Sequence, residues 1–384
     1  MLRERVAGEA RPIRHVIAPY RICPLGAHVD HQGGDVLGRT VNAYSILAFA
    51  PLPNPEIRLR SANYPGQAVF SCEDAGPPLM DHWDRYARGA AHVLAKYHRL
   101  RYGFAGYVQG THPGGGLGSS ASVGLAYLAA LPAVNDIQLS QAEFIELDRQ
   151  LENDYLGLLN GIQDQSAIVH GRQRVLLHLD TRSRIVRPVP DSAKAAQSRF
   201  LIVYSGFPRE LSATGYNDRV SECHQAVRQL ASLSGLPETE ILAGIPLPVF
   251  EGYKGELPEP LRKRAAHFFG EIKRVQEGRL AWAEGDIERF GTLMNASCDS
   301  SIQLYEAGSP AIIQLQEIVA SSAGVYGSRF SGGGYGGCVV ALVDDEALPE
   351  VKERIERRYL ATFPETAGRA YSFAAEVEGG LRVV

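Results

Sequence analysis

The chain has 384 residues, enough for two or three domains with sizeable cores. Lys and Arg number 39 against 43 Asp and Glu, a formal charge of −4 that argues against a general nucleic-acid binder. Hydrophobic residues at 45% and charged residues at 21% exclude a disordered chain.

At the N-terminus, MLRERVAGEARPIRH is charged and lacks an apolar h-region, so no signal peptide is expected. A strand is expected over His15–Ile22, and a strand or hairpin over Val36–Leu52. The most apolar stretch, Ala43 to Leu52, is too short to span a bilayer, which takes about 18 residues. Glu56–Arg60 and Gln67–Cys72 alternate polar and apolar residues as half-buried strands do. Asp81–His98 carries a helical period, Gly103–Gln109 reads as a strand, and Ser120–Leu131 as a buried Ala- and Leu-rich helix. Ser140 and Glu143 form a capping box that opens a helix to about Tyr155. Val175–Leu179 and Arg184–Val189 read as a strand pair.

The small, polar segment Asp191–Ser198 marks the expected domain junction, dividing the chain into 1–195 and 196–384. Beyond it come a strand at Arg199–Tyr204 and helices near Asn217–Ser234, Pro260–Glu284, Ile287–Ser297 and Pro310–Ser322. A strand at Gly337–Val343 and a helix at Pro349–Ala361 follow. Strands and helices interleave without strict βαβ regularity, which favours an α+β fold over a doubly wound sheet. The five cysteines, Cys23, Cys72, Cys223, Cys298 and Cys338, are scattered and include no C-x-x-C pair. That points to a reducing cytoplasm and away from a zinc site or disulfide framework.

Glycine is the unusual count, at 40. It gathers in three places: Gly26–Gly38, Gly114–Gly118 and Gly332–Gly337. The second is Pro113-Gly-Gly-Gly-Leu-Gly-Ser-Ser-Ala-Ser122, between an expected strand and an expected helix. Such a loop can turn backbone N–H groups into one concavity at a positive helix end, which makes an anion site. The alternative reading is a tight turn made only for close packing. It is neither a Walker A loop nor a protein-kinase loop. Ser119 and Ser120 stand where a hydroxyl would meet phosphate or Mg²⁺. Glu152 and Asp164, downstream, suit a hard metal ligand and a carboxylate near an attacking hydroxyl. On spacing alone they also read as solvated surface charges.

Taken together, these segments resemble the GHMP kinases, and the galactokinase branch best. The first motif is Tyr20-Arg-Ile-Cys-Pro-Leu-Gly-Ala-His-Val-Asp-His-Gln-Gly-Gly34, the second is the Gly-Ser loop, and the third is Gly327-Ser-Arg-Phe-Ser-Gly-Gly-Gly-Tyr-Gly-Gly-Cys338. Asn160-Gly-Ile-Gln-Asp-Gln165 and Arg209-Glu-Leu-Ser-Ala-Thr-Gly-Tyr-Asn-Asp-Arg219 resemble two further elements of that branch. The resemblance runs from Tyr20 to Cys338. It implies a two-domain GHMP kinase fold, with an N-terminal domain like domain 2 of ribosomal protein S5 and a ferredoxin-like C-terminal domain. It also implies ATP and Mg²⁺ as cofactors, a small sugar or sugar acid as partner without nucleic acid or membrane, and a cytoplasmic monomer or homodimer.

Residue by residue, the resemblance implies that Ser120 and Glu152 ligate Mg²⁺. Gly114, Gly115, Gly116, Leu117, Gly118, Ser119, Ser120 and Ala121 hold the nucleotide. Asp164 is the base or orients the sugar 1-hydroxyl, and Arg21 stabilises transferring charge beside it. Ala27, His28, Asp30, His31, Tyr216 and Gly333 face the sugar. One departure stands out: galactokinases read Gly-Glu-His where this chain reads Gly26-Ala27-His28. A glutamate there would repel a 6-carboxylate by roughly 1–4 kcal/mol at ~4 Å. Its absence points to galacturonate as the acceptor, as in the galacturonokinase form of this motif. Galactose, L-arabinose and a non-catalytic sugar-sensing role are the alternatives. A cationic partner for the carboxylate is expected among His28, His31, Arg209 and Arg219.

Overall fold

The computed structural model describes residues 12–207, 215–334 and 336–384. Strands β1 (Arg14–Leu25) and β2 (Val36–Pro51) pair antiparallel, and β3 (Glu56–Ser61) and β4 (Gln67–Ser71) form a hairpin. Helix α1 (Arg85–Ala95) leads to β5 (Phe104–Gly110) and then to α2 (Ser119–Val134). Helices α3 (Gln141–Gln150) and α4 (Gln163–His170) precede the pair β6 (Val175–Asp180) and β7 (Ile185–Pro190). After β8 (Ser198–Tyr204) come α5 (Tyr216–Ser234), α6 (Leu247–Tyr253), α7 (Glu259–Glu284), α8 (Ile287–Gln303) and α9 (Pro310–Ala320). The chain ends through β9 (Val325–Phe330), β10 (Cys338–Asp344), α10 (Leu348–Thr362), β11 (Tyr371–Ala375) and β12 (Arg382–Val383).

Two sheets result. The first runs β12-β1-β2-β5-β3-β4, with β6 on β2 and β7 on β6, and only β3 and β5 run parallel. The second runs β11-β8-β10-β9, wholly antiparallel. That order, with α5 to α9 and α10 as the two crossovers, is the β-α-β-β-α-β arrangement of a ferredoxin-like domain. The fold is α+β, as its sequence pattern indicates. The chain crosses between sheets from Pro190 to Ser198, but β12 returns to pair with β1.

Helix α2 is apolar on nearly every side and lies inside a core with α1 and α3. A second core lies between the helices α5, α7 and α9 and one face of the second sheet. A third joins the sheets: Tyr20, Ile22 and Leu37 of the first meet Phe200 and Val340 of the second, with Trp282 of α7. Leu117 of the Gly-rich loop belongs to that shared core, so the loop sits at the seam. No helix among the described residues is long and apolar enough to cross a membrane. All five cysteines are free and buried.

Local chemistry sets the boundaries. Ser140 caps α3, its hydroxyl accepting from the Glu143 N–H at 3.3 Å while the Glu143 carboxylate accepts from the Ser140 N–H at 2.7 Å. The helix expected to run to Tyr155 departs from α geometry after Gln150, and Leu151–Tyr155 forms a π-turn that carries Glu152. Val36–Pro51 is one strand without a hairpin break, long enough to pair with β1, β5 and β6 in turn.

Candidate active site

Arg21 leaves the centre of β1 just past a register shift between Pro19 and Tyr20. Its guanidinium grips Asp164, at the start of α4, by both oxygens: Nε donates to Oδ1 at 2.6 Å and Nη2 to Oδ2 at 2.7 Å. The third arm, Nη1, donates to the Gly116 carbonyl at 2.5 Å, and the Arg21 backbone N–H donates to the Leu117 carbonyl at 2.9 Å. One buried side chain thus ties the first motif, the Gly-rich loop and the candidate base together. Arg21 is an ion-pair partner by geometry, and its fork suits it to orient a carboxylate.

The turn after β1 carries Ala27, His28 and Asp30. His28 adopts a left-handed φ of 59°, a conformation that costs a non-glycine residue about 1 kcal/mol or more. Its ring stacks on Tyr305 with centroids 4.4 Å apart and planes 8° apart. Behind the turn, the buried Glu271 of α7 accepts from the N–H groups of Gly26 at 2.7 Å and Ala27 at 3.3 Å. Asp30 accepts from the Gln163 N–H at 3.1 Å, and a Cβ at Gly161 would strike its carboxylate. Burial and the charge of Asp164 push the Asp30 carboxyl up to about 6.

The Gly-rich loop caps α2 through Gly118, whose φ is +68°. Its glycines also answer to the third motif. A Cβ at Gly115 would lie 2.7 Å from the Gly337 Cα, and one at Gly332 would lie 2.6 Å from the Gly116 Cα. A Cβ at Gly116 would run into the Ser331 carbonyl, and the Ser331 hydroxyl donates to the Gly116 carbonyl at 2.6 Å. The packing reading of this loop is the one these contacts display: Gly115 and Gly116 are pressed backbone to backbone against Ser331, Gly332 and Gly337.

Arg21, Ala27, His28, Asp30, Ser120, Glu152, Asp164, Tyr216 and Gly333 line one cavity at this seam. Several expected residues stand apart from it. His31 faces a neighbouring cavity, with its Nε2 3.1 Å from the Tyr305 hydroxyl and burial pushing its imidazole down to about 3. Leu117 and Ala121 are 2% and 0% exposed and belong to apolar cores, so only their backbone remains for a nucleotide. Arg219 lies 3.6 Å from Glu222 and 3.7 Å from Glu306 and does not line the cavity. Arg209 lies outside the described residues.

Other lining residues were not singled out from sequence: Cys23, Asn160, Gln163, Gln165 and Arg329. Asn160 donates to the Glu152 carboxylate at 3.0 Å. Asp148, one turn before Glu152 and fully buried, has its carboxyl raised far above the ordinary range by burial and by Glu152 and Asp164.

Two of the donors on this cavity suit a magnesium ion. The Ser120 hydroxyl and Glu152 carboxylate are hard oxygen donors on one cavity, and Mg²⁺ characteristically takes one or two such groups and completes its shell with phosphate and water. Among the described residues, no three His, Cys, Asp or Glu side chains form a metal cluster of their own.

Comparison with known proteins follows the same lines. The family model for the GHMP kinases N terminal domain matches residues 85–172, and that for the GHMP kinases C terminal matches residues 279–361. A galacturonokinase of Arabidopsis thaliana is 40% identical, covering 97% of this chain and 91% of its own length. A galactokinase of Streptococcus thermophilus is 32% identical over 96% of this chain and 94% of its own. The solved Lactococcus lactis galactokinase complexed with galactose superimposes with a TM-score of 0.91 at 26% identity, covering 99% and 97% of the two chains.

Proposed function

The chain belongs to the GHMP kinase family, in its galactokinase branch, and from that membership we propose that it phosphorylates the 1-hydroxyl of D-galacturonate. It is a sugar kinase, and the family uses ATP as phosphoryl donor. The observation that carries the acceptor is Ala27. It lines the cavity beside Arg21, Asp30 and Asp164, at the place where the galactokinase pattern carries a glutamate. A methyl group there leaves room for a 6-carboxylate and sets no charge against it. The galacturonokinase relative, the more similar of the two reported, supports the same acceptor.

The chemistry follows from the site. The Gly-rich loop and the N-terminus of α2 receive the phosphates. Ser120 and Glu152 would hold Mg²⁺, which neutralises phosphate charge when bound. Asp164 orients the 1-hydroxyl and accepts its proton as the oxygen bonds to the γ-phosphorus and ADP leaves. Arg21 fixes Asp164 through both oxygens and adds positive charge where negative charge develops. Asp30 and Tyr216 hold sugar hydroxyls from the cavity wall. Five free, buried cysteines support the cytoplasm as its compartment.

An acceptor panel tests the reading. With ADP release measured, galacturonate should give the highest kcat/KM among galacturonate, galactose and L-arabinose. A lead for either neutral sugar would overturn it.

A further inference from the structure

A buried cation in the third motif lines the same cavity as Ala27. Arg329, near the end of β9, is 1% exposed and lines the cavity. Its Nε donates to the Phe330 carbonyl at 3.1 Å and its Nη1 to the Ser297 hydroxyl at 2.6 Å. The carboxylate it approaches is Glu271, 3.8 Å from Nη1, outside hydrogen-bonding range.

Glu271 is already engaged. One oxygen accepts from the Gly26 and Ala27 N–H groups and from the Ser297 hydroxyl, and the other accepts from Arg274 Nε at 2.6 Å. Burial opposes its ionisation, but Arg274, His267 and Arg329 hold its carboxyl at about 2. His267 is pushed down to about 4, chiefly by burial, and is neutral at pH 7. Glu271 is therefore one carboxylate set against two guanidinium groups, those of Arg274 and Arg329. Of the other acids on the cavity, Asp164 is held by Arg21, Glu152 accepts from Asn160, and Asp30 accepts from the Gln163 N–H. A buried guanidinium that shares its carboxylate with a second guanidinium is only partly answered, and an incoming anion would answer it further.

We propose that Arg329 is the residue that selects a carboxylate at the 6-position of the sugar. Ala27 clears the space and Arg329 supplies the charge, so the substrate brings the negative group that the galactokinase pattern builds into the protein. Glu271 links the two positions: its Oε1 accepts from the Ala27 N–H at 3.3 Å and lies 3.8 Å from the Arg329 guanidinium. A neutral 6-hydroxyl would occupy the same place without answering the charge of Arg329, so the same residue favours a uronate over galactose. The inference rests on the hexuronate reading above.

Steady-state kinetics with galacturonate, galactose and ATP test it in the wild type, Arg329→Gln, Arg329→Lys and Ala27→Glu. Arg329→Gln should raise the galacturonate KM about 10- to 100-fold, the range for losing a charged hydrogen bond. The KM for ATP should stay within twofold, and galactose kcat/KM should hold or rise. Arg329→Lys should fall between the two. Ala27→Glu should abolish galacturonate turnover and raise galactose kcat/KM, because the introduced carboxylate would then answer Arg329. Equal losses for both sugars in Arg329→Gln would assign Arg329 to packing alone and overturn the proposal. Wild-type galacturonate turnover in Ala27→Glu would do the same, even if the Arg329 variants fail to fold. A wild type that prefers galactose overturns the acceptor reading itself, whereas a galacturonate preference that survives Arg329→Gln overturns only the selector.

Discussion

Arg21 holds Asp164 by both carboxylate oxygens while its third nitrogen holds the Gly116 carbonyl. The aspartate that would meet the sugar 1-hydroxyl is thus anchored to the loop that would hold the phosphates. Donor and acceptor ends of the reaction share one guanidinium.

Asp164→Asn should keep the shape and the sugar affinity but lower kcat by about 10²- to 10⁴-fold, the usual worth of a positioned proton acceptor. Calorimetric binding of galacturonate alongside turnover separates the two effects. Near-normal turnover would remove Asp164 from its role.

Arg21→Lys retains charge but cannot fork. It should lower kcat by at least about 10-fold with a smaller change in the galacturonate KM, because the lost function is orientation. A pure KM effect would place Arg21 among the sugar-binding groups only.

Chelation of divalent ions should abolish turnover. Glu152→Gln should shift the Mg²⁺ concentration for half-maximal rate upward by about 10-fold, with sugar binding unchanged in magnesium-free buffer. An unaltered Mg²⁺ dependence would remove Glu152 as a ligand.

Gly116→Ala places a methyl group against the Ser331 carbonyl at a φ of +82°. The strained backbone costs about 1–3 kcal/mol, and the clash adds to it. Thermal unfolding should move down by several degrees, and kcat should fall as the two glycine loops separate. Gly76→Ala, at a φ of +69° with open space around it, serves as the control for backbone strain alone.

Asp30 sets a pH dependence of known sign. Its carboxyl titrates at about 6 in the folded chain and near 4 when exposed, so the folded state binds that proton more tightly. Its stabilising contribution is full below about pH 4 and is lost as pH rises through about 6. Asp30→Asn should therefore flatten the fall in stability between about pH 4 and 6, read by denaturant titration, while weakening sugar binding. A wild-type profile flat over that window would contradict the burial of this group.

Much of this site was legible in short motifs. Arg21, Ser120, Glu152 and Asp164 are local features whose residue types suit the chemistry, and all four meet on one cavity. What was not legible is what depends on distant packing. Arg329 stood inside a motif already recognised, yet its importance comes from Glu271 on another element and from Ala27 near the opposite end of the chain. His31 carries the right chemistry at the right spacing, but the 3₁₀ turn Asp30–Gln32 delivers it to Tyr305 and the adjoining cavity. Strand β9 is hidden because Gly327 and Arg329 interrupt its apolar run, while β12 is only two residues long. For the glycines the sequence left close packing open beside a phosphate site, and the structure adds which partner is packed: a backbone seam between loops far apart in the chain, Gly115 against Gly337 and Gly116 against Gly332.

Strand β12 lies against β1, with His15 and Val384 exchanging backbone hydrogen bonds at 2.7 and 2.8 Å. During synthesis, the strand that carries Arg21 leaves the ribosome long before its outer neighbour, with every other element of the fold made in between. The edge of the first sheet therefore stays open over that interval, and the nascent chain must keep it from pairing with other chains until residues 382–384 arrive.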